Sequence, residues 1–368
     1  MLVSSSSWNS TAKSEGRSVR RRVSIQRAQI VALVENAPAL SSTPKAEIAM
    51  TEVPTSKNIL RPLRRRSFFR LAAASGLTTF SSKRSLAEDT FDTRSTPEVC
   101  IYTEQFQSLP IPEVCKIFKR IGAQGLDVTV RPGGHIKPED ARVQLLIAAR
   151  VAREHELKIM MLTTGITAAD RNAENILAAC QEIGVDRIKL GYFRPGSFGT
   201  LRKSLDTTRR QLNQISQLAA KYGVLPCVHV HSGETIPSNA FLLYEVIRDI
   251  EPSRIGAYLD SHHMTITGGA GGWRQAIDLL TPWISLVALK NHRWHTHGRD
   301  ETGQQKWRTS YCRLEDGVAP IPDFVRTVHQ AGYQGFYTLH TEYRLPVQEC
   351  TRLTTDDFAF LKRVLTRL

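Results

Sequence analysis

From residue 97 onward, short apolar runs rich in β-branched residues alternate with longer stretches whose apolar positions recur at helical spacing. The pattern predicts strands at 97–103, 125–130, 158–163, 187–191, 224–230, 255–259, 284–289 and 336–339. Between them it predicts helices at 111–121, 140–155, 168–183, 201–222, 239–250, 272–280 and 321–331, with a last helix at 356–368. Residues 291–320 show neither period and read as a long irregular connection. Eight strand–helix units in this length predict an α/β fold of the (β/α)8 TIM-barrel type, a single domain over residues 96–368. A doubly wound open sheet accommodates eight evenly sized units less well.

Residues 1–95 read differently. The first 49 are rich in Ser, Ala and Arg without a sustained apolar period, so a disordered leader is expected. Arg64-Arg65-Arg66-Ser67-Phe68-Phe69-Arg70 then precedes a short apolar stretch, and Ser85-Leu86-Ala87 supplies small residues suited to cleavage. This order resembles a twin-arginine export signal. Met50 would place the arginines at the usual distance from a start, with cleavage near Ala87 and an exported, periplasmic enzyme; otherwise the protein stays in the cytoplasm. The only membrane association expected is passage through the export machinery.

Charge changes the picture in one respect. The chain is +14 overall, but residues 1–96 hold 16 Lys+Arg against 7 Asp+Glu, a net of +9. The remainder holds 33 against 28, only +5, so no nucleic-acid partner is expected of the barrel. Six scattered cysteines form no C-x-x-C pair, which argues against a disulfide framework.

In a TIM barrel, chemistry collects where strands run into the following loops. Strand two leads into Arg131-Pro132-Gly133-Gly134-His135, and strand five into His229-Val230-His231-Ser232-Gly233-Glu234. Strand six leads into Asp260-Ser261-His262-His263, strand seven into Lys290-Asn291-His292, and strand eight into His340-Thr341-Glu342. Asp260 and Glu342 offer hard oxygen donors, and His231 or His263 offers nitrogen. That mixture suits Mn, Mg, Co or Zn without singling one out. Such an ion can polarise a carbonyl while carboxylates move the proton on the neighbouring carbon. Arg131, His135, Lys290, Trp294 and His340 are candidate contacts for a small carbohydrate substrate. Trp273 could stack on a sugar or fill the core.

The segments GLDVTVRPGGH, the HSG after strand five, Asp260-x-x-His263 and LHTEY resemble the sugar phosphate isomerase/epimerase, xylose isomerase-like family over about residues 97–345. The resemblance implies that Asp260 and Glu342 are metal ligands, that His263 stands on the substrate side, and that Glu342 is one of two acid/base carboxylates. The second carboxylate and the remaining metal ligand would come from the end of strand five, where His231 and Glu234 are both available. Strand seven departs from the His-x-Lys-Asp pattern of the family, reading Ala288-Leu289-Lys290-Asn291, and His292, His295 or His297 could replace the missing ligand.

The function expected is metal-dependent isomerisation or epimerisation of a sugar or sugar-like polyol through an enediolate. An inosose dehydratase-like lyase would use the same site. An endonuclease IV-like nuclease needs histidines at the ends of strands two and three, whereas strand three ends in Thr163-Thr164. A non-catalytic carbohydrate-binding barrel would explain the departure in strand seven.

Overall fold

In the computed structural model, residues 96–368 are described. The expected leader, with its twin-arginine pattern, lies outside them. The barrel strands are β1 (Val99–Tyr102), β2 (Gly125–Val130), β3 (Lys158–Thr164), β4 (Arg187–Lys189), β5 (Leu225–His229), β6 (Gly256–Asp260), β7 (Ile284–Leu289) and β10 (Tyr337–Leu339). They close in the order β1-β10-β7-β6-β5-β4-β3-β2, every neighbouring pair parallel.

Helices α1 (Ile111–Ile121), α2 (Ala141–Glu154), α3 (Arg171–Ile183), α4 (Leu201–Ala220), α5 (Ala240–Ile247), α7 (Gly272–Leu280), α8 (Ile321–Gln330) and α9 (Val347–Leu365) follow the strands. Their boundaries are set by local chemistry. Asp170 and Asn239 cap α3 and α5 by accepting the N–H of Ala173 and Leu242. Gly122 ends α1 at φ 98°, a left-handed conformation that favours glycine.

Strands covered on both faces must be apolar on both, which is why β1, β2 and β6 are buried along their whole length. Alternation then sorts the side chains. One set joins the large core between strands and helices. The other, Cys100, Met161, Cys227, Tyr258, Leu286 and Ala288, forms a separate cluster that fills the bore. Continuing that set toward the C-terminal ends of the strands brings His229, Asp260, Lys290 and His340 to the mouth on the same inward parity.

Two elements differ from the sequence expectation. A further helix, α6 (Ser261–Gly268), starts directly on β6 with Asp260 as its N-cap. The connection after β7 contains an antiparallel hairpin, β8 (Asn291–Arg299) and β9 (Gln305–Cys312). All six cysteines are unpaired. Among the described residues no helix is long and apolar enough to cross a membrane.

Candidate active site

Asp260 is the pivot of the mouth. It is fully buried, and its Oδ1 accepts the backbone N–H of His263 at 3.0 Å. That cap fixes α6 against β6 and holds His263 beside the carboxylate. The second oxygen, Oδ2, receives His229 Nε2 at 3.2 Å and lies 3.4 Å from Lys290 Nζ. Lys290 also donates to Glu342 Oε1 at 3.0 Å, so one buried ammonium bridges two carboxylates from different strands. His340 Nδ1 lies 3.3 Å from the same Glu342 oxygen, and its Nε2 faces Tyr258 Oη at 2.9 Å and Asp127 Oδ2 at 3.6 Å. Tyr102 stacks on the His340 ring at 4.3 Å.

These contacts decide the protonation states. Burial pushes the Asp260 carboxyl up, but Lys290, His263 and the bond from His229 outweigh it and hold the group well below its usual range. Glu342 follows the same logic: burial raises it, while Lys290 and His340 bring it down further. Burial lowers Lys290, and the two carboxylates more than reverse this. The imidazoles of strand five and α6 go the other way. Burial lowers His229 to about 3, His262 to about 3 and His231 to about 4, and it depresses His263 strongly. At neutral pH the mouth therefore sets ionised carboxylates against neutral imidazoles.

The expected site residues do not all converge. Asp260, Glu342, His263, Lys290 and His340 lie together. His231 stands next to them, its ring 4.1 Å from that of His263. Glu234 is exposed, and its backbone carbonyl accepts from Arg194, so its carboxylate faces solvent rather than Asp260. Arg131 pairs with Glu104 at 2.6 Å at the rim. His135 is engaged by Thr129 and the Phe106 carbonyl. Trp294 lies 47 % exposed on the hairpin, and Trp273 is buried in the core against Phe324.

Several site groups were not singled out from the sequence. His229 precedes His231 by two residues and so shares its inward parity. Asp127 sits mid-strand in GLDVTV, with Oδ2 bonded by Thr163 Oγ1 and Oδ1 buried without a partner. Lys189 ends β4 with its Nζ 3.6 Å over the Tyr192 ring and no hydrogen-bond acceptor. Burial, followed by Arg131, lowers Lys189 to about 7. A charged residue inside an otherwise apolar strand was the available signal for Asp127.

His229, Asp260 and His263 each offer one donor atom, all within 4.8 Å of one another. His263 Nε2 is buried and lacks a partner; in the tautomer with Nδ1 donating to Ser232 Oγ at 2.8 Å, its lone pair is free for a cation. One carboxylate with two neutral imidazoles fits a divalent transition ion or zinc. The Lys290 ammonium on the same Asp260 oxygen weighs against dense positive charge there.

A family model described as xylose isomerase-like TIM barrel matches residues 115–364. No curated protein matches the sequence. Among solved structures, the chain is similar to a probable 3-DHS dehydratase, AsbF, from Bacillus anthracis, with 13% identity, 72% of this chain and 98% of that one covered, and a TM-score of 0.56. A xylose isomerase-like TIM barrel protein from Mycobacterium smegmatis in complex with magnesium shares 12% identity over 74% and 97%, TM-score 0.56. The 3-keto-D-glucoside 4-epimerase YcjR of E. coli shares 16% over 73% and 99%, TM-score 0.55. These likenesses are of fold.

Proposed function

The chain belongs to the xylose isomerase-like TIM barrel family, and on that premise we propose that its mouth isomerises or epimerises a sugar or sugar-like polyol by proton transfer beside a carbonyl. One observation carries this reading: the carboxylates of Glu342 and Asp260 share the buried Lys290 ammonium, with His229 and His263 beside Asp260. A carboxylate or imidazole can take the proton from the carbon next to the carbonyl; the electron pair of that C–H bond becomes a C=C bond as the carbonyl π pair moves onto the oxygen. The Lys290 ammonium is placed to meet the negative charge that develops. Delivery of a proton to the opposite face of the same carbon, by a second acid or by water, gives an epimer; return of the proton to the former carbonyl carbon, with the hydroxyl proton passing to the other oxygen, gives an isomer. Glu342 is the proposed acid/base group, His263 positions the substrate, Lys290 neutralises the developing charge, and His340 holds Glu342 in place. Glu234 has no part in this chemistry.

His229, Asp260 and His263 would hold a divalent ion, of which Zn, Co or Mn suits two imidazoles better than Mg. Bound there, it would polarise the substrate carbonyl. A second reading, favoured by the Lys290 contacts with both carboxylates, gives that task to the ammonium alone.

Two measurements on protein purified without chelators test these readings. Deuterium wash-in from D2O into a panel of aldoses, ketoses and keto-glycosides should occur with the wild type and fall at least ~100-fold in Glu342→Gln. No exchange with any of them would reject the proposal. Elemental analysis of wild type, His229→Ala and Asp260→Ala then separates the two forms. Stoichiometric metal lost in both variants supports the ion, whereas exchange without metal supports Lys290.

From the sequence alone we also propose that residues 64–87 direct twin-arginine export. Replacing Arg64, Arg65 and Arg66 by Lys should retain a fused reporter in the cytoplasm; export unaffected by the change rejects the signal.

A further inference from the structure

The hairpin after β7 lies on the same side of the barrel as the site, and its register divides its residues by chemistry. His292 pairs with Tyr311, Trp294 with Thr309 and Thr296 with Trp307, before any irregularity in the ladder. Directly opposed side chains share a face, and alternate residues along a strand do too. These six therefore form one face. The other face carries Arg293, His295 and Arg308, with His295 Nε2 2.7 Å from Ser310 Oγ.

The six-residue face has an inner and an outer end. At the inner end His292 and Tyr311 surround His262, at 4.6 and 5.2 Å between rings, and Lys290 Nζ stands 5.5 Å from the Tyr311 ring. Farther out, the Trp294 ring lies 6.1 Å from that of His292. Trp294 and Trp307 are 47 % and 58 % exposed. Each cross-strand pair is displaced from the next by about 7 Å, so the face runs about 14 Å outward from the mouth.

We propose that this face is a binding subsite for a second sugar ring, so that the substrate is a glycoside or short oligosaccharide whose reacting unit sits in the mouth. The proposal rests on the carbohydrate reading above and names its substrate class. Flat aromatic rings separated by hydroxyls match the apolar face and polar rim of a pyranose. Neither hairpin strand contains an aliphatic side chain larger than a threonine methyl, unlike the apolar core of a stable protein interface. Nucleic-acid bases also stack on tryptophan, but here the basic residues lie on the opposite face and the inner end leads to Glu342 and Asp260, which repel phosphate. Residues 293–299 and 306–310 are exposed on both faces. A two-stranded ribbon so exposed is marginal in water, and a stacked ligand would stabilise it.

The test compares monosaccharide with matching oligosaccharides on the full-length chain: glucose with cellobiose and cellotriose, and glucose with maltose and maltotriose, by calorimetry. One linkage series should bind at least about tenfold more tightly than glucose. Trp294→Ala and Trp307→Ala should each remove about five- to tenfold of that gain, the size of one desolvated aromatic contact. Both residues are exposed, so the fold survives the substitutions, and glucose affinity should not change in Trp307→Ala. Oligosaccharides that bind no better than glucose, or whose advantage survives both substitutions, overturn the subsite while leaving the monosaccharide reading intact. Binding of no saccharide overturns both. A dimer that dissociates in the tryptophan variants, or tryptophan-dependent binding of oligo-dT, would reassign the face to a second copy or to nucleic acid.

Discussion

Between Asp260 and Glu342 stands one ammonium, and removing it leaves two buried carboxylates with imidazoles as their remaining side-chain partners. Lys290→Met should cost ~3 kcal/mol or more at neutral pH, because a partner left uncompensated in the interior is penalised more than the intact pair is favoured. The sign with pH follows from the direction of the carboxyl shifts. Both acids are depressed when folded, so their pairing contributes stability above the unfolded values and loses it as pH falls through the folded ones. Urea midpoints of wild type and Lys290→Met should therefore differ most above about pH 5 and converge in acid. A gap that is constant with pH would mean that Lys290 acts by packing alone. The residues of this network at strand ends, Asp260, Lys290, His340 and Glu342, could be read from the sequence because a barrel has no other reason to end three strands in ionisable groups. Asp127 could not be found by looking at strand ends, since it lies within β2 and is revealed only by its inward parity, and Lys189 ends β4 with no polar run after it to mark the position.

The eight barrel strands and most helices follow from the period of the apolar residues, which burial on both sheet faces enforces. The two missed elements have different signals. α6 has no amphipathic period, because Ser261 through Thr265 are all buried; its start was marked only by Asp260 as a capping side chain. The β8–β9 hairpin has no apolar alternation because neither face is covered, and only its turn was legible. There Asp300 Oδ1 accepts from the Thr302 and Gln304 backbones, and Gly303 takes φ 86°. What fixes the hairpin is its base. The Asn291 side chain donates to the carbonyls of Leu314 and Ala319 and accepts from the N–H groups of His292 and Ala319, four bonds of 2.8–2.9 Å by a buried amide. Asn291→Ala strands those backbone groups and should cost ~2–3 kcal/mol. Native-state hydrogen exchange should speed up in β8 and β9 before it does in β6 or β7. Uniform acceleration across the barrel would show that Asn291 holds the whole fold rather than the ribbon.

At the scale of the whole molecule, closure of the barrel passes through Asp357 on α9. This nearly buried carboxyl accepts the Leu314 N–H at 2.7 Å and the Tyr343 hydroxyl, joining the exit of the hairpin, the loop after β10 and the last helix. Burial pushes its pKa up to about 7, against the pull of the Tyr343 and Leu314 bonds. The shift is opposite to that of Asp260, and so is its consequence. Between the unfolded value near 3.8 and the folded value, the native state keeps a proton that the unfolded chain has released. Stability from this group is thus complete below the unfolded pKa and is lost as pH rises through about 7. The loss is on the order of 4 kcal/mol. Asp357→Asn has no proton to lose and retains an acceptor for Leu314, so its stability relative to wild type should rise by that amount from about pH 4 to pH 8. Subtracting the two pH profiles cancels Asp260, Glu342 and every other titrating group the proteins share. Profiles that run parallel would show that Asp357 is ionised in the folded protein across this range, and that Tyr343, the Leu314 N–H and Arg313 stabilise its charge well enough to offset burial.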